Sequence, residues 1–342
     1  MTAEVSADRP FDLICVGDVS VDLYLTLDEA GVSVAGHDGG RTLVLPFGAK
    51  IPCDVTTTVA AGGNSANVSV ACARLGVRVA LAARLGGDQP GRDALAALHR
   101  ENVDTSLVRV DAAAHTNRNF VLRVDHERTI LVHHEEHEYH WPRLWTSGVP
   151  DWLFLSSVGR DAHEFEAEIA TWLEEFPHVS FAFEPGTLQI ARGVGPLAPF
   201  YRRADLVICN REEAATITGG TAEDTPTVLL ERMLALGPSQ AVITDGSAGA
   251  YGTDGSRYIA VPAFANDAPV VDRTGAGDAF AATVVAGIAS GLPLDQAMTR
   301  ATVNSMRVVQ QVGSQAGLLT RAKVESLLAN APPSYRVTVL PV

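Results

Sequence analysis

The stretch Asp272-Arg273-Thr274-Gly275-Ala276-Gly277-Asp278 sets a carboxylate at the start of an apolar helix, just after a loop of small residues. It reads as a strand end, the loop, and then the helix. Amide hydrogens in a helix's first turn lack partners and lie at the positive end of its dipole. Gly275, Ala276 and Gly277 leave that backbone uncovered, so an anion can come close. Such a site holds developing negative charge. Asp278 makes little sense for holding a phosphate at rest. It makes sense as a base that takes a proton from an alcohol attacking that phosphate. Taken alone, the loop could also be an ordinary strand-to-helix turn.

Other residues stand where chemistry is placed in α/β proteins. Asp18 follows the apolar run 11–17 directly, and ligands of open α/β sheets bind off the carboxyl ends of strands. It could equally cap a turn. Gly62-Gly63-Asn64 precedes the helical stretch 65–75, with Asn67 in the first turn; Asn64 could simply cap that helix. Asn210 and Glu213 lie where a strand gives way to a helix. Glu offers a hard oxygen for Mg²⁺ or its waters, although an N-cap with an acid in the first turn looks the same. The strand 241–244 enters a turn containing Thr244, Gly246 and Gly249.

These motifs, in this order, resemble the ribokinase-like (PfkB) carbohydrate kinase family. The stretch 272–278 is similar to its DTTGAGD signature. Residues 62–67, followed by Gly76 and Gly86, are similar to its N-terminal signature. The likeness runs from Asp12 to about Leu319. It implies an ATP-dependent kinase that phosphorylates a hydroxyl of a sugar or sugar-like molecule. Asp278 would be the base, and the amides of Gly275, Ala276 and Gly277 an anion hole. Asp18, Gly63, Asn64 and Asn67 would contact the sugar together with Asp278. Asn210, Thr244, Gly246, Gly249, Gly275 and Gly277 would line the nucleotide, and Asn210 and Glu213 would act on Mg²⁺ indirectly. In some members Asp272 and Thr274, with a loop like 312–317 here, hold a monovalent cation such as K⁺.

The chain also departs from the family pattern. Some sugar kinases of the family place an acid near Ser156-Ser157; its absence here puts ribose itself in doubt. Arg273 stands where Thr or Pro is commoner, as in some acid-sugar kinases. It would pair either with a protein carboxylate or with an anionic group of a substrate. A nucleoside or a keto-sugar acid is thus an alternative substrate. A catalytically silent sugar or nucleotide sensor is a further alternative, which Asp278 argues against, since a sensor needs no base.

The bulk numbers agree. A net charge of −14 over 342 residues argues against nucleic acid and anionic membranes as partners. ATP would then need local devices: amides, helix N-termini, a few arginines and Mg²⁺. The four cysteines show no paired spacing, which fits a reducing cytoplasm rather than a zinc or disulfide framework. The polar start MTAEVSADRP lacks a signal peptide's apolar run. No apolar stretch is long enough to span a membrane.

The elements that must carry these residues are legible as a rhythm. Short apolar runs at 11–17, 78–84, 152–157, 179–184, 204–209 and 241–244 alternate with helical stretches at 65–75, 91–101, 161–175 and 294–310. That alternation predicts an α/β fold, a doubly wound and mostly parallel sheet flanked by helices. Residues 23–61 break the rhythm with alternating or β-branched strands around 24–27, 42–45 and 54–60, punctuated by glycines including Gly39-Gly40. A hairpin at 120–124 and 129–133, turning at Asp125-His126-Glu127, is of the same kind. The expected division is an α/β domain of residues 11–22 and 62–330, with 23–61 and 116–134 as a small β lid. By resemblance this lid covers the sugar site and is shared in a homodimer. The His- and Glu-rich run 133–140 offers metal-like spacings, but it follows a strand, precedes Pro142, and has the composition of a solvated loop.

Overall fold

The apolar runs that end in Gly, Ser, Glu or Asn become the parallel strands of a nine-stranded sheet in a computed structural model of the protein. Residues 11–28, 31–36, 41–124, 127–142, 148–221, 223–265 and 268–341 are described, the side chains of 55 and 56 excepted. The first ten residues, Gly39-Gly40 and the turn residues Asp125-His126 lie outside this set.

The sheet runs Thr338–Leu340, Tyr258–Val261, Ala250–Thr253, Gln240–Thr244, Leu206–Asn210, Ser180–Phe183, Trp152–Leu155, Leu13–Val16, Val79–Ala82. From Gln240–Thr244 to Val79–Ala82 every pair is parallel. The other three strands add antiparallel. The parallel strands are buried on both faces, which is why they read as continuous apolar runs. Leu13 and Cys15 face one core, Ile14 and Val16 the other. Helices Asn64–Arg74, Ala276–Ala289 and Leu294–Val308 pack on the first face. Helices His163–Glu175, Val194–Arg203 and Pro226–Leu234 pack on the second. Each Leu, Ile or Val so buried contributes roughly 1.5–3 kcal/mol. Among the described residues no helix is long and apolar enough to cross a membrane.

Helix Ala276–Ala289 is rich in alanine and glycine on its buried side, beside Phe280, Val284 and Val285. It therefore lies close to its neighbours: a Cβ at Gly287 would stand 2.8 Å from that of Ala297.

A separate four-stranded sheet, ordered Glu127–His133, Asn117–Val124, Ser20–Leu27, Cys53–Gly62, occupies the segments expected as the lid. In chain order its first strand starts at Ser20 and its second ends at Gly62, so Ser20, Asp22 and Gly62 belong to this second sheet by pairing. A short ribbon, Ser33–Ala35 with Thr42–Val44, stands apart. The outer strand Glu127–His133 is almost wholly exposed, with Leu131 at 53% and Val132 at 58%.

Candidate active site

Asp278 sits in the first turn of helix Ala276–Ala289, whose cap Gly275 is left-handed at φ 79°. A side chain at Gly275 would also strike Ser314, 2.5 Å from its Cβ, so glycine is required twice over. The Ala276 amide makes only a long 3.4 Å turn bond to the Arg273 carbonyl. Among the described residues no acceptor takes the amides of Gly275, Gly277 or Asp278. A Cβ at Gly277 would meet nothing within 4 Å, so this face opens to solvent. It is a cradle of free donors with room for a phosphate.

The Asp278 carboxylate accepts from Asn67 Nδ2 at 2.7 Å. Asn67 is oriented in turn: its Oδ1 accepts from Ser314 Oγ at 2.8 Å and Gln315 Nε2 at 2.9 Å. Burial pushes the Asp278 carboxyl up to about 7. The Asn67 bond opposes that rise, and the charges of Asp22 and Glu213 add to it. A carboxyl poised near neutrality suits a general base.

Two further acids face the same space. Glu184, which follows strand Ser180–Phe183, is held well above its usual value by desolvation and by the charges of Asp278 and Glu213. Ser156 Oγ donates to it at 3.4 Å. Glu213 is raised by burial. Sequence reasoning missed Glu184. The available signal was the one used for Asp18, an acid directly after a buried strand.

Asn210 and Glu213 form a reciprocal capping box. Asn210 Oδ1 accepts from the Glu213 amide at 2.9 Å, and Glu213 Oε2 accepts from the Asn210 amide at 2.8 Å. The capping geometry is thus present, and among the described residues no hydrogen bond engages Glu213 Oε1. Among the described residues no three His, Cys, Asp or Glu groups gather closely enough to hold an ion directly. Carboxyls that repel one another across a shared space fit a divalent cation held through water.

Strand Gln240–Thr244 ends in a turn where Asp245 donates its amide to the Gly249 carbonyl at 2.8 Å. Arg211 grips the Asp245 carboxylate at 2.8 Å. Gly246 has open space around it. Thr244, Gly246 and Gly249 therefore share the sheet's carboxyl edge with Asn210. Asp272 is buried and fully engaged: Oδ1 takes the Thr274 amide and hydroxyl, Oδ2 the Gly313 amide at 3.0 Å. It clamps the central loop to the loop 310–317. Arg273 is 64% exposed in its side chain and lies 3.9 Å from Glu127 of the second sheet, a loose and solvated pair. Asn304 is buried between Thr283 and Leu319.

At the other end of the cleft, Asp18 follows strand Leu13–Val16 and is 7% exposed. Gly63, at φ 90°, packs against it so tightly that a Cβ would be 2.7 Å from the Asp18 carbonyl. Ser65 Oγ donates to that same carbonyl at 2.9 Å. Asn64 opens helix Asn64–Arg74, whose cap is Gly63 with no side-chain bond, so Asn64 does not cap. The run after strand Glu127–His133 differs from a solvated loop. Tyr139 donates its hydroxyl to Asp18 Oδ1 at 2.5 Å, and His137 is 8% exposed.

Residues 12–147 and 195–321 match the family model described as pfkB family carbohydrate kinase. The chain is 26% identical over 323 residues to a ribokinase of Bacillus subtilis, covering 92% of this chain and 99% of that protein. It is 30% identical over 251 residues to a fructokinase of Klebsiella pneumoniae, covering 68% and 78%. The structure of an Arabidopsis thaliana ribokinase complexed with ribose and ATP superposes with a TM-score of 0.77 at 20% identity, covering 94% of this chain and 99% of that one.

Proposed function

The chain belongs to the pfkB family of carbohydrate kinases, phosphotransferases with an alcohol group as acceptor, and from that premise we propose that Asp278 deprotonates a hydroxyl of a sugar or nucleoside for attack on ATP. The observation that carries this reading is the Asp278 carboxyl, raised to about 7, held by Asn67 beside unengaged helix amides.

In this reading the substrate hydroxyl gives its proton to Asp278 as its oxygen bonds to the γ-phosphorus in line. The bond between that phosphorus and the bridging oxygen breaks, and ADP leaves. The amides of Gly275, Ala276 and Gly277 stabilise the charge on the transferring group. Thr244, Gly246 and Gly249 bind the nucleotide along the sheet edge. Mg²⁺, held through water by Asn210 and Glu213, would neutralise phosphate charge. A K⁺ near Asp272 and Thr274 would stiffen the loop that Asp272 already clamps. Asp18, Gly63 and Asn64 hold the sugar, while Asn67 orients the base. The lid excludes water, whose attack would waste ATP. Its exposed strand, with Ile130, Leu131 and Val132, supports a homodimer formed lid to lid.

The test is ADP release measured across neutral sugars, nucleosides and sugar acids, with Asp278→Asn as control. A substrate on which wild type is active and the variant is nearly silent supports the reading. No turnover on any of the three classes would remove it.

A further inference from the structure

Residues 134–141 leave the lid and cross the carboxyl end of the main sheet, anchored at both ends. The Glu135 amide donates to Asn117 Oδ1 at 2.9 Å. The Trp141 amide donates to Glu168 at 2.7 Å, and Arg84 donates to the His140 carbonyl at 2.9 Å. Tyr139 and Trp141 pack on Phe165 in tilted contacts with ring centroids 5.3 and 5.9 Å apart. The Tyr139 hydroxyl also accepts from the Gly159 amide at 3.1 Å. This segment is therefore a wall rather than a free loop.

Along this wall four buried polar atoms have no hydrogen-bond partner among the described residues: Asp18 Oδ2, both ring nitrogens of His137, and Trp141 Nε1, the last packed away against Phe165 and Trp172. His134 Nδ1 stands 3.6 Å from Asp18 Oδ2, too far for a hydrogen bond. The His137 ring lies near enough to Asp18 for the carboxylate's charge to act on it, and burial nevertheless holds the ring below its ordinary value. A neutral ring offers one donor and one acceptor. Orphaned buried groups of this kind mark a place that a ligand completes, because leaving them unmatched is costly.

We propose that His137 and Tyr139 are specificity residues of the acceptor site. Tyr139 occupies one oxygen of Asp18, so only Oδ2 addresses the substrate. His137 supplies a donor and an acceptor beside it. The pair selects a neutral ligand with adjacent hydroxyls, as in a free sugar or the ribose of a nucleoside. A sugar acid would set its carboxylate against Asp18 and is turned away. This inference rests on the kinase reading above and names the substrate class of the same site.

The experiment compares kcat/KM of wild type, His137→Leu and His137→Gln on ribose, fructose, adenosine and gluconate, and on deoxyribose and deoxyadenosine. Ligand-induced thermal shifts without nucleotide are read in parallel. Wild type should favour each hydroxyl-bearing ligand over its deoxy analogue. His137→Leu should lose about tenfold to hundredfold on the hydroxyl-bearing member and little on the deoxy one, with KM for ATP unchanged. His137→Gln, which keeps a donor and an acceptor, should recover part of the preference. Tyr139→Phe should alter selectivity among ligands without shifting KM for ATP. Equal losses on both members of each pair, or gluconate as the best acceptor, would overturn the inference while leaving the kinase reading intact. If His137→Leu does not fold, the Gln and Phe variants decide by the same comparison. A wild type inactive on every compound defeats the kinase reading itself.

Discussion

Replacing Asp278 by Asn should make the ligand-free protein more stable and nearly inactive. The carboxyl rises from 3.8 to about 7 on folding, chiefly by desolvation. A folded-state pKa above the unfolded value means that, between the two, the unfolded chain has released a proton the folded one keeps. Stability therefore falls as pH rises from about 4 to about 7, and the full penalty stands above that. The shift corresponds to about 4 kcal/mol at most. Asp278 is partly exposed, and Asn keeps an acceptor for Asn67, so about 2–4 kcal/mol should be recovered. At roughly 2.1 cal/mol/K of unfolding entropy per residue, a chain of 342 residues gains about 3–6 °C in Tm. The assay is thermal unfolding of both proteins at pH 4.5 and pH 8 without ligands (the gain should be full at about pH 8 and fall to about a quarter of that at about pH 4.5). Turnover should fall about 10²–10⁴-fold with nucleotide affinity little changed. In wild type, kcat/KM should rise with pH through about 7 as the base loses its proton. A variant that gains no stability at high pH, or that keeps near-normal turnover, would refute the assignment of Asp278 as a desolvated base.

Glu213→Gln should raise the Mg²⁺ concentration needed for half-maximal rate; an unchanged Mg²⁺ dependence would leave the pair with Asn210 as a helix cap alone. Asp18→Ala should raise KM for the acceptor and hardly move KM for ATP, since Asp18 lies in the proposed acceptor site with one oxygen unpaired; the reverse pattern would move it to the nucleotide side. Arg273→Thr should leave the ranking of neutral sugars, nucleosides and sugar acids unchanged, because Arg273 lies exposed near Glu127. A selective loss on sugar acids would show the opposite. Leu131→Lys should shift sedimentation from dimer to monomer if the lids pair, and a monomeric wild type would end that reading.

Most of the main sheet, and the helix start with open amides at 275–278, could be read from local pattern. Runs such as Leu13–Val16 are apolar on both faces, and the small residues before Asp278 have few other uses. What escaped reading depended on distance along the chain. Nothing near Tyr139 in sequence says that its hydroxyl reaches Asp18, 121 residues away. The composition of 133–140 is that of a surface loop, yet the aromatic packing on helix His163–Glu175 pulls His137 and Tyr139 inward. Asn67 was legible as a site residue, but its hold on Asp278 across 211 positions was not. The edge strand Thr338–Leu340 was missed because three residues carry too little periodicity to register.

The chain passes between the two sheets at Gly17-Asp18-Val19 and again at Gly62-Gly63, and these two passages lie in contact. On the proposed reading, a movement of the second sheet would pivot on the residues that grip the acceptor. A lever whose fulcrum is also its handle cannot be moved without being felt there. A molecule that braces Asp18 against Gly63 and Asn64 shifts the lid's population by its difference in affinity for the open and shut forms.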